Sequence, residues 1–168
     1  MSVDGVDFRV FEPKPFNPRL FSHKFHAAGL RYETGVSIQS GDLIWINGPF
    51  APGLWPDLEI FRSSLMGELQ DDERVEADRG YRGEPLKIDA PDDMIDGELQ
   101  RLCKSTVRAR HETIHSRMRR WSILGHVFRH AIQKHEVVFR AVAVLTQLGI
   151  SSGDRLFHVN YKTLGPLI

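Results

Sequence analysis

The chain has 168 residues, 41% hydrophobic and 26% charged, with 22 Lys and Arg balanced by 22 Asp and Glu. That mix excludes collagen-like and wholly disordered chains, and the length suits one domain. The longest apolar run, Ala141 to Leu145, is far short of the ~20 residues that cross a bilayer, the first residues carry no signal-peptide pattern, and the single cysteine, Cys103, cannot form an internal disulfide, so a reducing intracellular compartment is expected.

In chain order, Val6 to Val10 and Tyr32 to Gln39 are short, β-branched and aromatic, with partial alternation and Gly or Pro around them, and predict two strands. Leu43 to Asn47 is a continuous apolar run between Gly41 and Gly48-Pro49, the pattern of a strand buried on both faces. Pro56-Asp57 then opens a helical repeat of Leu58, Ile60, Phe61, Leu65 and Leu69. Arg74 to Asp78 and Leu86 to Ile88 predict two further short strands, and residues 89–98 a loop. Residues 97–120 predict one long helix, and 126–148 a second, with Val127, Phe128, Ile132, Val138, Phe139, Val142 and Leu145 on its apolar face. The order β-β-β-α-β-(β)-α-α predicts a single α/β domain over residues 1–168: a mixed sheet, its first three strands antiparallel, flanked by helices. The core spans about 1–150, and 151–168 form a tail in which Phe157-His158-Val159 reads as an edge strand or a docked arm before a Gly-Pro end.

Charge is segregated along the chain. Residues 68–98 hold twelve acids against four bases, and residues 99–140 hold ten bases against two acids, with five histidines besides. The basic helical segment fits a phosphate footprint, or a solvated face paired with the acidic segment in the folded state.

Three acids sit on three separate elements: Asp4 at the first strand, Asp78 at the end of the strand before Arg79-Gly80-Tyr81, and Glu112 in the long helix. Carboxylates gathered this way are what Mg²⁺ or Mn²⁺ needs, because these hard cations take oxygen ligands. Two such ions can activate a water or 3′-hydroxyl and stabilise the leaving oxygen of a phosphodiester displacement. Asp7, on the same first strand, is not assigned to this group.

Five segments in order resemble one family. VDGVDFRV (3–10), SHKF (22–25) with LRYETGVSIQ (30–39), LIWINGPFAPGLWPDLEIFRSSL (43–65), ADRGY (77–81) and RARHETIHSRMRRWSIL (108–124) resemble the catalytic domain of DDE-type transposase endonucleases, in particular the PIF/Harbinger-like group. The resemblance implies a ribonuclease H-like fold and a metal-dependent DNA endonuclease. By position, Asp4, Asp78 and Glu112 would be its catalytic, metal-binding triad, with Mg²⁺ or Mn²⁺ as cofactor. Asp57 matches a further aspartate regarded in that group as a metal ligand, although Pro56-Asp57 at a helix start is equally a capping signal. Arg108, Arg110, Arg117, Arg119 and Arg120 flank Glu112 and would meet the DNA backbone. His115 and Ser116 share the face of Glu112, as ligand contacts or as cleft lining. Gly80-Tyr81 reads as a tight strand exit with a packed ring. The implied partners are DNA, a separate DNA-binding protein and further copies of the chain, and the implied location is the nucleus. The family's N-terminal DNA-binding region has no counterpart ahead of Asp4.

Two other readings stand beside it. His111-Glu112-Thr113-Ile114-His115 matches H-E-x-x-H, the helical zinc-hydrolase signature. Its flanking arginines oppose a zinc dication, Met118 and Trp121 stand where the extended motif needs Gly and His, and the third ligands on offer are His135 or Glu136. The last reading is a transposase remnant that binds DNA or protein without cutting.

Overall fold

The computed structural model describes residues 1–159 except Asp93 and Ile95. A six-stranded mixed sheet is built from β1 (Ser2–Arg9), β2 (Phe21–Ser22), β3 (Ala27–Val36), β4 (Leu43–Phe50), β5 (Val75–Glu76) and β6 (Ile88–Asp89). Strand β1 lies in the middle: it runs antiparallel to β3, which is antiparallel to β4 and to the short β2, while on its other side β1 is parallel to β5 and β5 to β6. The expected α/β class, mixed sheet and three antiparallel leading strands are observed.

Alternation along β1 and β3 sends side chains to two different layers. On one face Val6, Phe8, Leu30, Tyr32 and Val36 pack with α3 (Glu98–Arg120) and α5 (His135–Ser151) through Ile114, Met118, Phe139 and Val142. Tyr32 and Phe139 stack with ring centroids 3.8 Å apart. On the other face Val3, Val75 and Ile88 pack with Phe61 of α1 (Asp57–Ser63), Leu65 of α2 (Leu65–Glu68) and Tyr81. A four-residue helix, α4 (Ser122–Gly125), follows α3 directly.

The structure departs from the sequence reading at β4, at the helical repeat from Leu58 to Leu69, which breaks at Ser64 into α1 and α2, and at the start of the last helix, and it selects one of the two readings of the tail. Leu43 to Asn47 is not buried on both faces: β4 is an edge strand, and Ile44 is 55% exposed. It also continues past Asn47 to Phe50, because Gly48 at φ 123° accommodates a register shift against β3. The last helix starts at His135 and not at 126, since Phe128 instead joins Val10 in a parallel bridge, its backbone bonded to Arg9 and Phe11. Residues 152–159 form a docked arm without strand pairing, with Leu156 and Val159 buried; the Gly-Pro end lies outside the described residues.

Segregated charge is partly neutralised within the fold. Lys104 Nζ of α3 lies 2.8 Å from both Asp89 and Asp96 carboxylates, tying the basic helix to the acidic segment. Cys103 is buried as a free thiol. No helix among the described residues is long and apolar enough to cross a membrane.

Candidate metal centre

The parallel pairing of β1 with β5 aligns Ser2 with Glu76. Two residues further on, this register carries Asp4, inside β1, and Asp78, just past the end of β5, to neighbouring positions. Asp78 leaves the sheet to cap the 3₁₀ turn Arg79–Tyr81, accepting a 2.7 Å bond from Gly80 N–H. The third carboxylate comes from the opposite layer. Asp57 is the first residue of α1, but Pro56 holds the cap position and no side-chain cap bond forms, so Asp57 does not serve as the cap. Its carboxylate instead lies against the backbones of Gly5 and Gly80, the two glycines beside Asp4 and Asp78. Arg31 Nη1 approaches it at 3.1 Å.

These charges act on one another. Burial pushes the Asp4 carboxyl up to about 7, with Asp78 and Asp57 adding to the effect and Lys24 opposing it. Burial likewise raises Asp57 above the usual carboxylate range, against the pull of Arg31 and Lys24. Lys24, exposed on the loop after β2, donates to Gly5 O at 2.7 Å and supplies the nearby positive charge. Tyr81 is fully buried, and its phenol is pushed up by burial and by the surrounding Glu33, Asp57, Asp4 and Asp78. The tyrosine packs, as its sequence context suggested.

Glu112 is placed differently from the aspartates. His111 and His115 take the buried face of α3, and Glu112, turned about 100° from His111 around the helix, is exposed. Ser116 is exposed too, whereas His115 is turned inward. The tightest grouping among the described residues is Asp4 with His111 and His115, whose ligand atoms all lie within 4.8 Å of one another and which could hold a metal ion. The partner of the two histidines is therefore Asp4, and neither residue considered from sequence joins them. His135 is in the core, with Nδ1 2.8 Å from the Tyr32 hydroxyl, and Glu136 pairs with Arg140 on the surface. No protein-family model, curated protein or solved structure matches the chain.

The five arginines also separate. Arg110 is a correction: it is only 2% exposed, and its guanidinium donates to the carbonyls of Ser37, Ile38 and Phe157, so it is a structural pin and not a surface for phosphate. Arg117 is engaged by Asp154, and Arg119 lies over the Phe8 ring at 5.7 Å. Arg108 and Arg120 are exposed.

The sequence reading missed a buried network on the α1 side of the sheet. Asp7 is fully buried, accepts from Arg31 Nε at 2.7 Å and Nη2 at 3.1 Å, and takes the Ser22 hydroxyl at 2.6 Å. Glu33, opposite Gly5 in the sheet, is also buried and accepts the Trp45 indole N–H at 2.9 Å. Alternation places Arg31 and Glu33 on one face of β3, which was the available signal; the β1–β3 register adds Asp7 opposite Arg31.

Proposed function

We propose that the chain is a ribonuclease H-like DNA endonuclease of the DDE type, similar to the Harbinger-like transposases, working with Mg²⁺ or Mn²⁺. The observation that carries this reading is the β1–β5 register, which sets Asp4 beside Asp78 and leaves Asp57 between their neighbouring glycines. The strand order supports the finer fold assignment: a central β1 with antiparallel strands on one side and parallel ones on the other, helices covering both faces.

The residues present suit hard divalent cations, being carboxylates that desolvation and mutual repulsion leave short of positive charge. Bound there, such ions would acidify a water and neutralise charge on the phosphate. Asp4, Asp57 and Asp78 would hold them; Glu112, exposed on α3 and turned from the face whose histidines meet Asp4, is not brought into this set. Arg31 orients Asp57 through its 3.1 Å ion pair. Lys24 and the exposed Arg108 and Arg120 would meet a DNA backbone, with the nucleus as the site of action and a separate protein or a second copy supplying target recognition.

The zinc-hydrolase reading is weaker, because Glu112 does not share the inward face of the two histidines and so does not meet a water on an ion held there. The deciding experiment is nicking of plasmid DNA in Mg²⁺ or Mn²⁺ by the wild type and by Asp4→Asn, Asp57→Asn and Asp78→Asn. Metal-dependent nicking abolished by each substitution is expected. No nicking with either metal would leave the binding-only remnant as the better account, and nicking that survives Asp78→Asn would place the cleavage outside this carboxylate site.

A further inference from the structure

We propose that Asp4, His111 Nδ1 and His115 Nδ1 form a binding site for one borderline-soft divalent cation of the Zn²⁺ class, set between β1 and α3 and distinct from a carboxylate Mg²⁺ site except for the shared Asp4.

The argument is about protons. Ser2 Oγ is 2.9 Å from His111 Nε2 and gives its own hydrogen to Val36 O at 3.4 Å. Thr34 Oγ1 is 2.9 Å from His115 Nε2 and gives its hydrogen to Asp4 O at 3.3 Å. With each hydroxyl's single proton directed to a carbonyl, each accepts from the imidazole. Both rings therefore carry hydrogen on Nε2 and present a bare lone pair at Nδ1. His111 Nδ1 is buried and has no hydrogen-bond partner, in a residue only 1% exposed. His115 Nδ1 is 3.8 Å from Asp4 Oδ2, too far for a hydrogen bond.

Two imidazole lone pairs thus converge on the Asp4 carboxyl without a hydrogen bond joining them to it. A cation satisfies all three. Nitrogen ligands favour Zn²⁺ and its neighbours over Mg²⁺. Ligands at ~2.0–2.1 Å from a tetrahedral ion stand roughly 3.3–3.4 Å apart, so the site needs only a small closure. The hydroxyls on the far side of each ring are the partners that metal-bound histidines ordinarily have, fixing tautomer and ring orientation. Sharing of Asp4 adds a consequence that rests on the nuclease reading: an ion held by the histidines withdraws Asp4 from the carboxylate site, so Zn²⁺ inhibits Mg²⁺-dependent cleavage.

The test is calorimetry of the full chain with Zn²⁺ and, separately, Mg²⁺. The expected result is one Zn²⁺ per chain, bound at least tenfold tighter than Mg²⁺, and weakened about 100-fold by His115→Gln. Thr34→Val, which removes only the hydroxyl behind the ring, is expected to weaken it about 10–100-fold, and Glu112→Gln to leave it unchanged. X-ray absorption of the Zn²⁺-loaded wild type guards against a variant that fails to fold, and two imidazoles around the ion are expected. No Zn²⁺ binding by the wild type, no imidazole in its coordination, or a loss in Glu112→Gln equal to that in His115→Gln would overturn the proposal. DNA cleavage in Mg²⁺ without Zn²⁺ tests the nuclease reading separately, since zinc binding is read by heat and absorption alone.

Discussion

The Asp57 carboxylate lies directly on Gly5: a Cβ at Gly5 would stand 3.0 Å from Asp57 Cγ and nearer still to Oδ1. The absence of a side chain in the middle of β1 is thus what lets an acid from the opposite layer reach the strand that carries Asp4. Gly5→Ala is expected to force Asp57 aside and to cost about 1–3 kcal/mol through overpacking, a fall in melting temperature of roughly 2–4 °C for each kcal/mol. A double-mutant cycle checks the cause. In an Asp57→Gly background the same substitution should cost much less; an equal cost would place the strain elsewhere.

The Asp7–Arg31 pair should behave as a buried ion pair whose halves cannot be removed singly. Asp7 is wholly enclosed, and Arg31 is its cationic partner as well as that of Asp57. Arg31→Ala is expected to cost about 3–5 kcal/mol, mostly from the stranded carboxylate. Replacing both residues by apolar ones, Arg31→Met with Asp7→Leu, should recover a large part of that loss. Urea midpoints measure both, and a double variant worse than Arg31→Ala would contradict the account.

Stability should also depend on pH through Glu33. Burial raises its carboxyl from the ordinary 4.5 to about 7, against the indole N–H of Trp45. The folded chain holds the proton where the unfolded chain has lost it, so the ionisation penalty is absent below about pH 4.5, grows up to about 7 and is complete above that. Asp4 and Glu76, each also raised by burial to about 7, act in the same sense. His111 and His135 act in the opposite sense: burial lowers both to about 4, so the stability they confer is complete above the ordinary 6.5 and is lost as pH falls towards 4. Glu33→Gln keeps an acceptor for Trp45 and removes the titration. Its melting temperature should match wild type near pH 4 and exceed it increasingly up to pH 7, as followed by thermal scans across that range. A constant offset at every pH would show that Glu33 does not titrate as described.

How much of this was legible in the sequence depended on whether local pattern or tertiary convergence decides the feature. Strand β1, helix α1 and helix α3 follow from alternation, a proline-acid start and an unbroken helical stretch. Edge position does not, because Leu43 to Asn47 is as apolar as a central strand while its Ile44 faces outward. Nor does the start of α5: Phe128 fits the helical repeat, yet its backbone is taken by Arg9 and Phe11. Asp4, Asp57 and Asp78 were readable as acids on three separate elements; the β1–β5 register sets Asp4 near Asp78, and the bare backbone of Gly5 admits Asp57. The role of Asp4 as companion to His111 and His115 was not readable, since it joins residues more than a hundred positions apart. Arg110 misled for the same reason. It sits in a basic stretch that includes the exposed Arg108, and only the docked arm at Phe157 reveals it as buried.

Arg110 and Arg120 should therefore give opposite phenotypes. Arg110 has its charge buried against three carbonyls, and Arg110→Ala strands those acceptors, each unsatisfied group costing about 1–3 kcal/mol. The arm carrying Phe157 should loosen with it, visible as faster amide exchange around residues 154–159 and at Ser37 and Ile38. Arg120 is exposed at the C-terminal end of α3, where it adds little to stability. If α3 meets a DNA backbone, Arg120→Ala should leave the melting temperature within about 1 °C and lower the salt dependence of DNA binding by about one counterion. Binding titrations at several salt concentrations measure this. An unchanged slope for Arg120→Ala together with a stable, weakly binding Arg110→Ala would reverse the assignment of which arginine faces the nucleic acid.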